Sequence, residues 1–259
     1  MRKKLKVKLA IFSDVHSNWE AWQAVKSDII AEKVDQTFCL GDVVGYGPNP
    51  QECFTDIKNF AHFILKGNHE ASVLNAEEES YLNWVARTGV QYSRKHLDAD
   101  SINAIHSLEP QMQSVYGIIC CHGAITEDYK YIINPEDTVD EFKAMAAFTN
   151  IPTRICFVGH THNPFVFGEE TGLFGGVHDN MKLRSNQRYI INVGSVGQPR
   201  DGDCRASYVI LAFDLKPSGG IENITFNLKR IFYNIQVTAD KILAAGLPTR
   251  LAERLFVGE

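Results

Sequence analysis

The stretch Thr37-Phe38-Cys39-Leu40-Gly41-Asp42-Val43-Val44-Gly45 decides how the chain is organised. Its apolar first part is typical of a buried strand, and a glycine followed by one carboxylate, Asp42, ends that strand. The carboxyl ends of strands line the binding crevice of an open α/β sheet, so Asp42 is expected where chemistry takes place. A turn-capping aspartate is the simpler interpretation of a single Gly-Asp pair, and only repetition of the pattern favours a functional one.

The same pattern occurs at the ends of four more apolar runs. Each run is followed, directly or in the next loop, by Asp, Asn or His side chains. The runs and their polar residues are 10–12 with Asp14 and His16, 63–65 with Asn68 and His69, 118–121 with His122, and 155–158 with His160 and His162. Strand ends that all carry such side chains predict one shared site at a single edge of the fold.

Length and composition are those of an ordinary globular protein. The chain has 259 residues, of which 44% are hydrophobic and 22% charged, and we expect a single domain over residues 1–259. The formal net charge of −5 predicts no general binding to nucleic acid or to anionic membranes. The apolar stretch after the basic start is too short for a signal peptide, and no run is long enough to span a membrane. The sequence therefore predicts a cytoplasmic protein without a membrane partner.

The six cysteines show no zinc-type spacing. Most of them lie within apolar runs, where a free cysteine behaves as a small hydrophobic residue. We therefore expect all six to be reduced structural thiols.

Apolar runs and turn residues predict strands that alternate with helices in the first part of the chain, which is typical of β-α-β units. The predicted strands are 7–13, 37–40, 61–65, 154–158, its return strand 164–167, 189–193 and 207–214. Hairpins are predicted at 112–121, at 171–186, and between 207–214 and 221–231.

Helices are predicted at about 18–32, from residue 50, at several places within 71–108, at 138–148, and near 237–245 and 248–255. Ser17 with Glu20, and Thr138 with Glu141, have the spacing of capping boxes at two of these helix starts. The run of glutamates at 77–79 is expected to be an exposed helix start.

The polar side chains at the strand ends form a set of oxygen and nitrogen ligands. The set consists of Asp14, His16, Asp42, Asn68, His122, His160 and His162. Seven ligands are too many for one ordinary transition-metal site but suit two metals that share a carboxylate. In an extended loop His160 and His162 would point the same way and could serve adjacent metals. The histidines outside these loops are expected to be structural: His62, His96, His106 and His178.

These motifs resemble those of the calcineurin-like metallophosphoesterases, and they occur in the order of that family: Asp14-x-His16, Gly41-Asp42, Gly67-Asn68-His69-Glu70, His122 and Gly159-His160-x-His162. The resemblance implies an α/β fold, a four-layer αββα sandwich with two mixed β-sheets. It also implies two metal sites that share Asp42. One site would contain Asp14, His16, Asp42 and His162, and the other Asp42, Asn68, His122 and His160. This donor set lacks thiolate and suits two Mn²⁺, Fe²⁺ or Zn²⁺ ions.

The activity implied by the resemblance is hydrolysis of a phosphoester by a hydroxide that bridges the metals, with His69 as the general acid. The phosphatase and diadenosine-tetraphosphatase branches carry G-D-x-x-D-R-G, whereas this chain has Gly41-Asp42-Val43-Val44-Gly45-Tyr46-Gly47. The phosphate-clamping arginine and the aspartate that orients the catalytic histidine are both missing, so the partner of His69 is not predicted. The sequence is more similar to the small bacterial and archaeal phosphodiesterase branch. Arg200 and Ser195, in and after an Asn-x-Gly-Ser-Val loop, are the candidates for substrate contact, and a structural turn is the alternative for that loop.

Several functions stay open beside phosphodiester hydrolysis. The chain could hydrolyse dinucleoside polyphosphates, or phosphomonoesters as protein phosphatases do. It could also be a metal-dependent sensor that binds a nucleotide without turnover. A non-catalytic metal-binding scaffold is disfavoured, because the scaffolds that resemble this family lack the catalytic histidine. The expected partner is a small phosphoester or nucleotide, and the oligomeric state is left open.

Overall fold

The computed structural model of the protein describes residues 5–113, 116–147, 153–173, 180–217 and 220–259. The strands are β1 (Leu5–Phe12), β2 (Gln36–Cys39), β3 (Phe63–Ile64), β4 (Gln111–Gln113), β5 (Ile118–Cys121), β6 (Ile155–Val158), β7 (Phe165–Gly168), β8 (Gly172–Leu173), β9 (Met181–Leu183), β10 (Tyr189–Asn192), β11 (Ala206–Leu215) and β12 (Ile221–Ile231). The helices are α1 (Trp19–Glu32), α2 (Pro50–Phe60), α3 (Asn68–Leu74), α4 (Ala76–Ser80), α5 (Trp84–His96), α6 (Ala99–His106), α7 (Thr138–Ala147), α8 (Ile235–Ala244) and α9 (Thr249–Glu253).

The strands form two mixed sheets. The first has the order β3-β2-β1-β11-β12-β9, and the second has the order β4-β5-β6-β10-β7-β8. In the first sheet β1, β2 and β3 are parallel, because α1 and α2 form the crossover connections between them. On its other side β1 pairs antiparallel with β11, with Leu5 opposite Leu215.

The alternation of side chains along β1 divides the core between two faces. Leu9 and Ile11 point between the sheets and pack in one cluster with Phe157 of the second sheet. Phe12 points the other way, towards Trp22 of α1. On the outer face of the second sheet, α7 packs through apolar residues such as Phe142 and Met145. The layers are therefore helices, sheet, sheet and helix, and the predicted four-layer sandwich with two mixed sheets is confirmed.

Two predicted strand pairings are wrong. The strand after His162 does not return along β6, because β10 lies between β6 and β7 and pairs with both. The predicted hairpin at 171–186 is instead divided between the sheets, with β8 beside β7 and β9 beside β12. Residues 174–179 lie outside the described residues. Both errors arise because the actual partners are remote in sequence, where a local pattern carries no information.

The two other predicted pairings are confirmed. β4 pairs antiparallel with β5, and β11 pairs antiparallel with β12. Part of each turn, residues 114–115 and 218–219, lies outside the described residues.

The predicted capping box at the start of α1 is wrong. Ser17 has a φ of 55° and is not the cap, because the side chain of Asn18 accepts the hydrogen bond from the Ala21 N–H at 3.1 Å. Glu20 instead forms an ion pair with Lys241 of α8. The acidic residue thus joins two helices and caps neither.

Two further predictions about acidic residues are also wrong. Glu141, the predicted capping partner of Thr138, accepts the backbone N–H groups of Ile125 and Thr126 at 2.7 and 3.1 Å. Glu79 was expected to be exposed but is buried, in an ion pair of 2.7 Å with Arg94. In both cases the partner comes from another segment. The predicted end of α7 at 148 lies outside the described residues.

The state of the cysteines agrees with the sequence. All six cysteines are free thiols, and all except Cys204 are buried. Among the described residues, no helix has the length and apolar content that crossing a membrane requires.

Candidate metal centre

The carboxyl ends of β1, β2, β3, β5 and β6 meet at one edge of the sandwich. Backbone hydrogen bonds join the loops that follow them: the Asp14 N–H donates to Gly41 O at 3.0 Å, and the His16 N–H donates to Asp42 O at 3.0 Å. In the second sheet, the Gly159 N–H donates to His122 O at 2.9 Å. All seven predicted ligands are therefore at this edge.

The backbone at this edge is held in a conformation that L-residues rarely adopt. Ten described non-glycine residues have positive φ, and five of them belong to the predicted ligand set. These are Asp14 (56°), His16 (48°), Asp42 (51°), His160 (64°) and His162 (62°). The left-handed conformation costs about 1–2 kcal/mol per residue, and such outliers cluster at functional sites. The extended loop predicted for His160 and His162 is thus wrong.

One group of side chains surrounds Asp14. Its Oδ1 lies 3.3 Å from His162 Nε2 and 3.7 Å from His16 Nε2, and within the described part of the chain this buried oxygen has no hydrogen-bond partner. The Nδ1 of His16 is 3.1 Å from Val44 O, and that of His162 is 2.6 Å from Gln198 O. A carbonyl acceptor fixes the proton on Nδ1 and leaves the Nε2 lone pair facing Asp14, as in metal-binding histidines.

A second group surrounds His122. Its Nδ1 lies 2.9 Å from Leu40 O in the other sheet, so its Nε2 is free to face the site. That Nε2 is 3.3 Å from both Asp42 Oδ2 and Asn68 Oδ1. His160 completes the group, since ligand atoms of Asp42, His122 and His160 all lie within 4.8 Å of one another.

Asp42 lies between the two groups. Its Oδ2 is 3.3 Å from His122 Nε2 and 3.7 Å from His16 Nε2. Its Oδ1 accepts the backbone N–H of His69 at 2.9 Å. The Asp42 carboxylate lies so close to the backbone of residue 67 that only glycine fits there, because a Cβ on Gly67 would lie 2.1 Å from Asp42 Oδ1.

The charges at the site oppose the effect of burial. Burial raises the pKa of the Asp14 carboxyl, but the charges of His162 and His122 lower it well below the usual range. The pKa of Asp42 is also lowered, since the effect of burial, which raises it, is outweighed by His122, His69 and His16 together. In return, Asp42 raises the pKa of His122 to about 10 against the effect of burial. Burial lowers the pKa of His160 to about 3. The centre thus contains two ionised carboxylates, which suit a cation, beside imidazoles whose proton affinities differ widely, being low at His160 and high at His122.

The donor set also fits divalent metal ions by its chemistry. Among the residues that the structure describes, three overlapping groups of His and Asp side chains could each hold an ion: Asp14 with His16 and His162; His16 with Asp42 and His69; and Asp42 with His122 and His160. Nitrogen and carboxylate oxygen donors without thiolate are typical of Mn²⁺, Fe²⁺ and Zn²⁺ sites.

His69 is at the start of α3, beside this centre. Its Nδ1 is buried and has no hydrogen-bond partner among the described residues, so none of their carboxylates orients the ring through Nδ1. A Cβ on Gly45 would lie only 1.9 Å from that Nδ1. Gly45 and Tyr46 occupy the positions at which the arginine-containing branches carry Asp and Arg. The ring of His69 therefore packs directly against Gly45, with its centre 4.6 Å from that of Tyr46.

Glu70 is a site residue whose role the sequence did not reveal. Its buried carboxylate accepts the backbone N–H groups of Asp42 at 2.8 Å, Val43 at 2.8 Å, Val44 at 3.1 Å and Gly67 at 2.9 Å. Burial and then the charge of Asp42 raise the pKa of Glu70 to about 7. A glutamate at the third position of a helix was the only available signal.

The two candidates for substrate contact differ in position. The buried Ser195 hydroxyl donates to Asp14 O at 2.7 Å and accepts the Gln198 N–H at 2.8 Å, which favours a bracing role. Arg200 is half-buried at the rim, and its Nη2 donates to Gln198 Oε1 at 2.9 Å and Tyr46 Oη at 3.4 Å. Its guanidinium carbon lies 5.8 Å from the centre of the Tyr46 ring.

Two more tyrosines border the centre and were not predicted. The ring of Tyr131 stacks on His160 with centres 4.1 Å apart, and the side chain is 47% exposed. The ring of Tyr129 lies 6.3 Å from that of His122. Their segment follows no helix or strand period, so the sequence offered no signal for either residue.

The histidines expected to be structural lie away from this edge where the structure describes them. His62 Nδ1 accepts the Thr37 N–H at 3.1 Å, and His96 Nδ1 is 2.7 Å from Tyr92 O. His106 is exposed at the end of α6. His178 lies outside the described residues.

Comparison with known proteins identifies the family. The family model of the calcineurin-like phosphoesterases matches residues 7–171. An uncharacterised protein of Methanocaldococcus jannaschii is 35% identical over 98% of this chain and 99% of its own length. The crystal structure of a metallophosphoesterase from Sphaerobacter thermophilus matches with a TM-score of 0.80 and 36% identity, covering 98% of this chain and 100% of that one. A hypothetical protein from Pyrococcus horikoshii shares the fold, with a TM-score of 0.74, 14% identity and coverage of 98% and 99%. The chain belongs to the calcineurin-like phosphoesterase family.

Proposed function

We propose that this protein is a phosphodiesterase that uses two divalent metal ions. One ion would be held by Asp14, His16, Asp42 and His162, and the other by Asp42, Asn68, His122 and His160. The observation that carries the proposal is the position of Asp42 Oδ2, 3.3 Å from His122 Nε2 and 3.7 Å from His16 Nε2. A carboxylate between two histidine-rich groups is the arrangement of a dinuclear site.

Two bound ions of this kind lower the pKa of water and neutralise the phosphoryl oxygens during in-line attack. The chain's own contribution is to fix the donors before substrate binds. Carbonyl groups orient the imidazoles of His16, His122 and His162, and the backbone N–H of His69 holds Asp42. Mn²⁺, Fe²⁺ and Zn²⁺ all suit this donor set.

We assign the general acid to His69, which would protonate the departing oxygen. Its ring centre is 4.7 Å from that of His16, and its ligand atom lies within 4.8 Å of those of His16 and Asp42. Burial lowers the pKa of His69 to about 4, with an opposing contribution from Asp42. The negative charge of a phosphoryl group beside the ring also opposes the effect of burial, which favours the protonated form when substrate is bound.

The preference for a diester is inferred from the loop after Asp42. A phosphomonoester carries nearly two negative charges at neutral pH, and a diester carries one. Tyr46 occupies the position of the clamping arginine, so no arginine in this loop neutralises the second negative charge of a monoester. This favours the diester, which carries only one. A second candidate is hydrolysis of dinucleoside polyphosphates, which the half-buried Arg200 beside Tyr46 favours.

The test compares a nitrophenyl phosphodiester with the matched monoester in the presence of Mn²⁺. We expect a higher kcat/KM for the diester, about two metals per chain by elemental analysis, and loss of tight metal binding in Asp42→Asn. Clear preference for the monoester would favour a phosphatase. Metal and nucleotide binding without hydrolysis of any ester would favour a sensor or a scaffold. Full metal occupancy and activity in Asp42→Asn would contradict the shared carboxylate.

We also infer a cytoplasmic location. The five buried cysteines are free thiols, and Cys121 Sγ lies only 3.6 Å from Cys156 Sγ without a bond between them. Free thiols so close together are typical of proteins kept in a reducing compartment. Measurement of the location of the tagged protein by cell fractionation tests this inference.

A further inference from the structure

The ring of Tyr131 lies beside the candidate metal centre, and the function proposed above gives it no role. We propose that Tyr131 is a specificity-determining residue, on which the nucleobase of a nucleoside phosphoester stacks while the phosphate of that ester occupies the centre. This inference rests on the proposed function and narrows its substrate class to nucleotides.

One face of the Tyr131 ring is covered by a candidate metal ligand. The ring stacks on that of His160 at an angle of 24°, with the two centres 4.1 Å apart. The Tyr131 side chain is nevertheless 47% exposed. Since His160 covers one face, the exposed part includes the opposite face of the ring. Open aromatic faces of this kind are the surfaces on which proteins stack nucleobases.

The segment around Tyr131 leaves apolar surface in water. Ile132 is buried in the cluster beneath α7, and the residues on either side of it, Tyr131 and Ile133, are exposed. Contact with an aromatic group would remove part of this surface from water, which favours binding. The exposed side chains thus suit a flat apolar ligand such as a base.

The segment before Tyr131 is held in place by α7. The buried carboxylate of Glu141 accepts the backbone N–H groups of Ile125 and Thr126 at 2.7 and 3.1 Å. An oxygen of the same carboxylate lies 3.6 Å from the Nζ of Lys130, which directly precedes Tyr131. A ring on a segment that is already fixed loses little conformational entropy when a ligand stacks on it.

The distance between this ring and the centre suits a nucleotide. One ligand atom of His160 lies within 4.8 Å of those of Asp42 and His122, while the face of the His160 ring contacts Tyr131. The open face of Tyr131 is therefore one ring away from a candidate ligand. The ribose of a nucleotide can bridge that separation, with its phosphate at the centre and its base on Tyr131.

Stacking also determines how selective this contact is. Every nucleobase has a flat π-face, so a single aromatic ring accepts different bases. We therefore expect a preference for nucleoside esters over simple alkyl esters of phosphate, and only small differences among the bases.

The first test measures binding and does not depend on turnover. Protein loaded with Mn²⁺ is titrated in a calorimeter with adenosine 5′-monophosphate and with ribose 5-phosphate, which lacks the base. The wild type is expected to bind the nucleotide about tenfold more tightly, as for one base stacked on an aromatic side chain. Tyr131→Leu should remove this preference by weakening nucleotide binding about tenfold more than ribose 5-phosphate binding. Tyr131→Phe, which keeps the ring, should retain the preference.

Three results would overturn the proposal. The first is equal affinity of the wild type for the two ligands, or no binding of either, and the second is a preference that persists in Tyr131→Leu. The third is an equal loss of affinity for both ligands in that variant, which would show that Tyr131 acts only by positioning His160. The matched control is Tyr116→Leu before the amino end of β5, where Tyr116 packs on Phe213 with ring centres 5.3 Å apart. It should change neither affinity.

The second test compares the nitrophenyl esters of thymidine 5′-phosphate and of methyl phosphate, which share a leaving group. We expect Tyr131→Leu to raise KM for the nucleoside ester about tenfold more than for the methyl ester, with little change in kcat. An equal rise for both esters would contradict base stacking. If the wild type hydrolysed neither ester, the proposed function would fail, and the calorimetric comparison would still decide the role of Tyr131.

Discussion

The carboxylate of Glu70 accepts the backbone N–H of Asp42 at 2.8 Å, so the proposed bridging ligand is positioned through its main chain by a second carboxylate. The same carboxylate accepts three more backbone N–H groups of the neighbouring loops. One buried side chain thus holds four backbone N–H groups of these loops in place. It fixes Asp42 without competing for the side-chain oxygens of Asp42.

We therefore predict that Glu70→Gln destabilises the protein. The amide turns an N–H₂ group towards backbone donors, and each buried N–H left without an acceptor costs about 1–3 kcal/mol. Urea unfolding at a fixed metal concentration measures the loss. Glu77→Gln, at an exposed position, is the control and should stay within about 0.5 kcal/mol of the wild type. Equal stability of the two variants would show that Glu70 is not needed to hold the loop.

The contact between Gly45 and His69 predicts a second effect. In Gly45→Ala the new Cβ would meet His69 Nδ1 at 1.9 Å, so the ring has to move, and kcat should fall about 10²-fold with metal content retained. Gly202→Ala is a matched control, since φ is +80° there against +89° at Gly45 and nothing lies within 4 Å of the new Cβ. In a His69→Ala background, Gly45→Ala should cost little further activity. If Gly45→Ala lowered kcat as much in the His69→Ala background as in the wild type, the substitution would act through a group other than His69.

The acid role of His69 predicts a dependence on the leaving group. His69→Ala should keep both metals and lose about 10²–10⁴-fold in turnover, the usual range for a general acid. The loss should shrink for nitrophenol esters, because an acidic leaving group needs less protonation. Kinetics with a series of esters of graded leaving-group pKa provide the measurement. An equal loss across that series would remove the acid role.

Metal should stabilise the fold through the partnerless Oδ1 of Asp14 and the shared Asp42. A ligand present at a thousand times its Kd adds about 4 kcal/mol to the free energy of unfolding. We therefore expect Mn²⁺ to raise the Tm of chelator-treated protein, and Asp42→Asn to lose most of this rise. Scanning calorimetry with and without Mn²⁺ measures both. A rise of the same size in Asp42→Asn would contradict its place between the ions.

The position of Arg200 at the rim predicts that its substitution changes kcat/KM more for one class of substrate than for another. If its guanidinium supplies charge at the rim, Arg200→Ala should reduce kcat/KM for dinucleoside polyphosphates more than for a simple diester. The measurement is the ratio of kcat/KM values for the two substrates in wild type and variant. A preference for monoesters that disappears in Arg200→Ala would replace the diesterase proposal with a phosphatase.

The sequence predicted those parts of the molecule whose cause is local. Apolar runs such as 155–158 are typical of buried strands, and the residues after them then lie at the strand ends. The cap of α1 was missed because the left-handed φ of Ser17, which the loop imposes, transfers the role to Asn18. The positions of β10 and Glu70 depend on partners far away in sequence. No pattern of local period encodes those contacts.

The pairing of β1 with β11 has a consequence for the order of events during synthesis. All seven candidate ligands precede residue 163, yet β1 forms one of its two ladders with residues 209–215, and the N–H groups of Val196 and Gly197 bind the carbonyls of Ser13 and Asp14. A nascent chain that already contains every ligand therefore still lacks the strand that fixes the first of them. Long-range pairing of this kind forms late. A ribosome-bound fragment that ends near residue 170 should fail to retain Mn²⁺, and the metal centre should form only once β11 has left the exit tunnel.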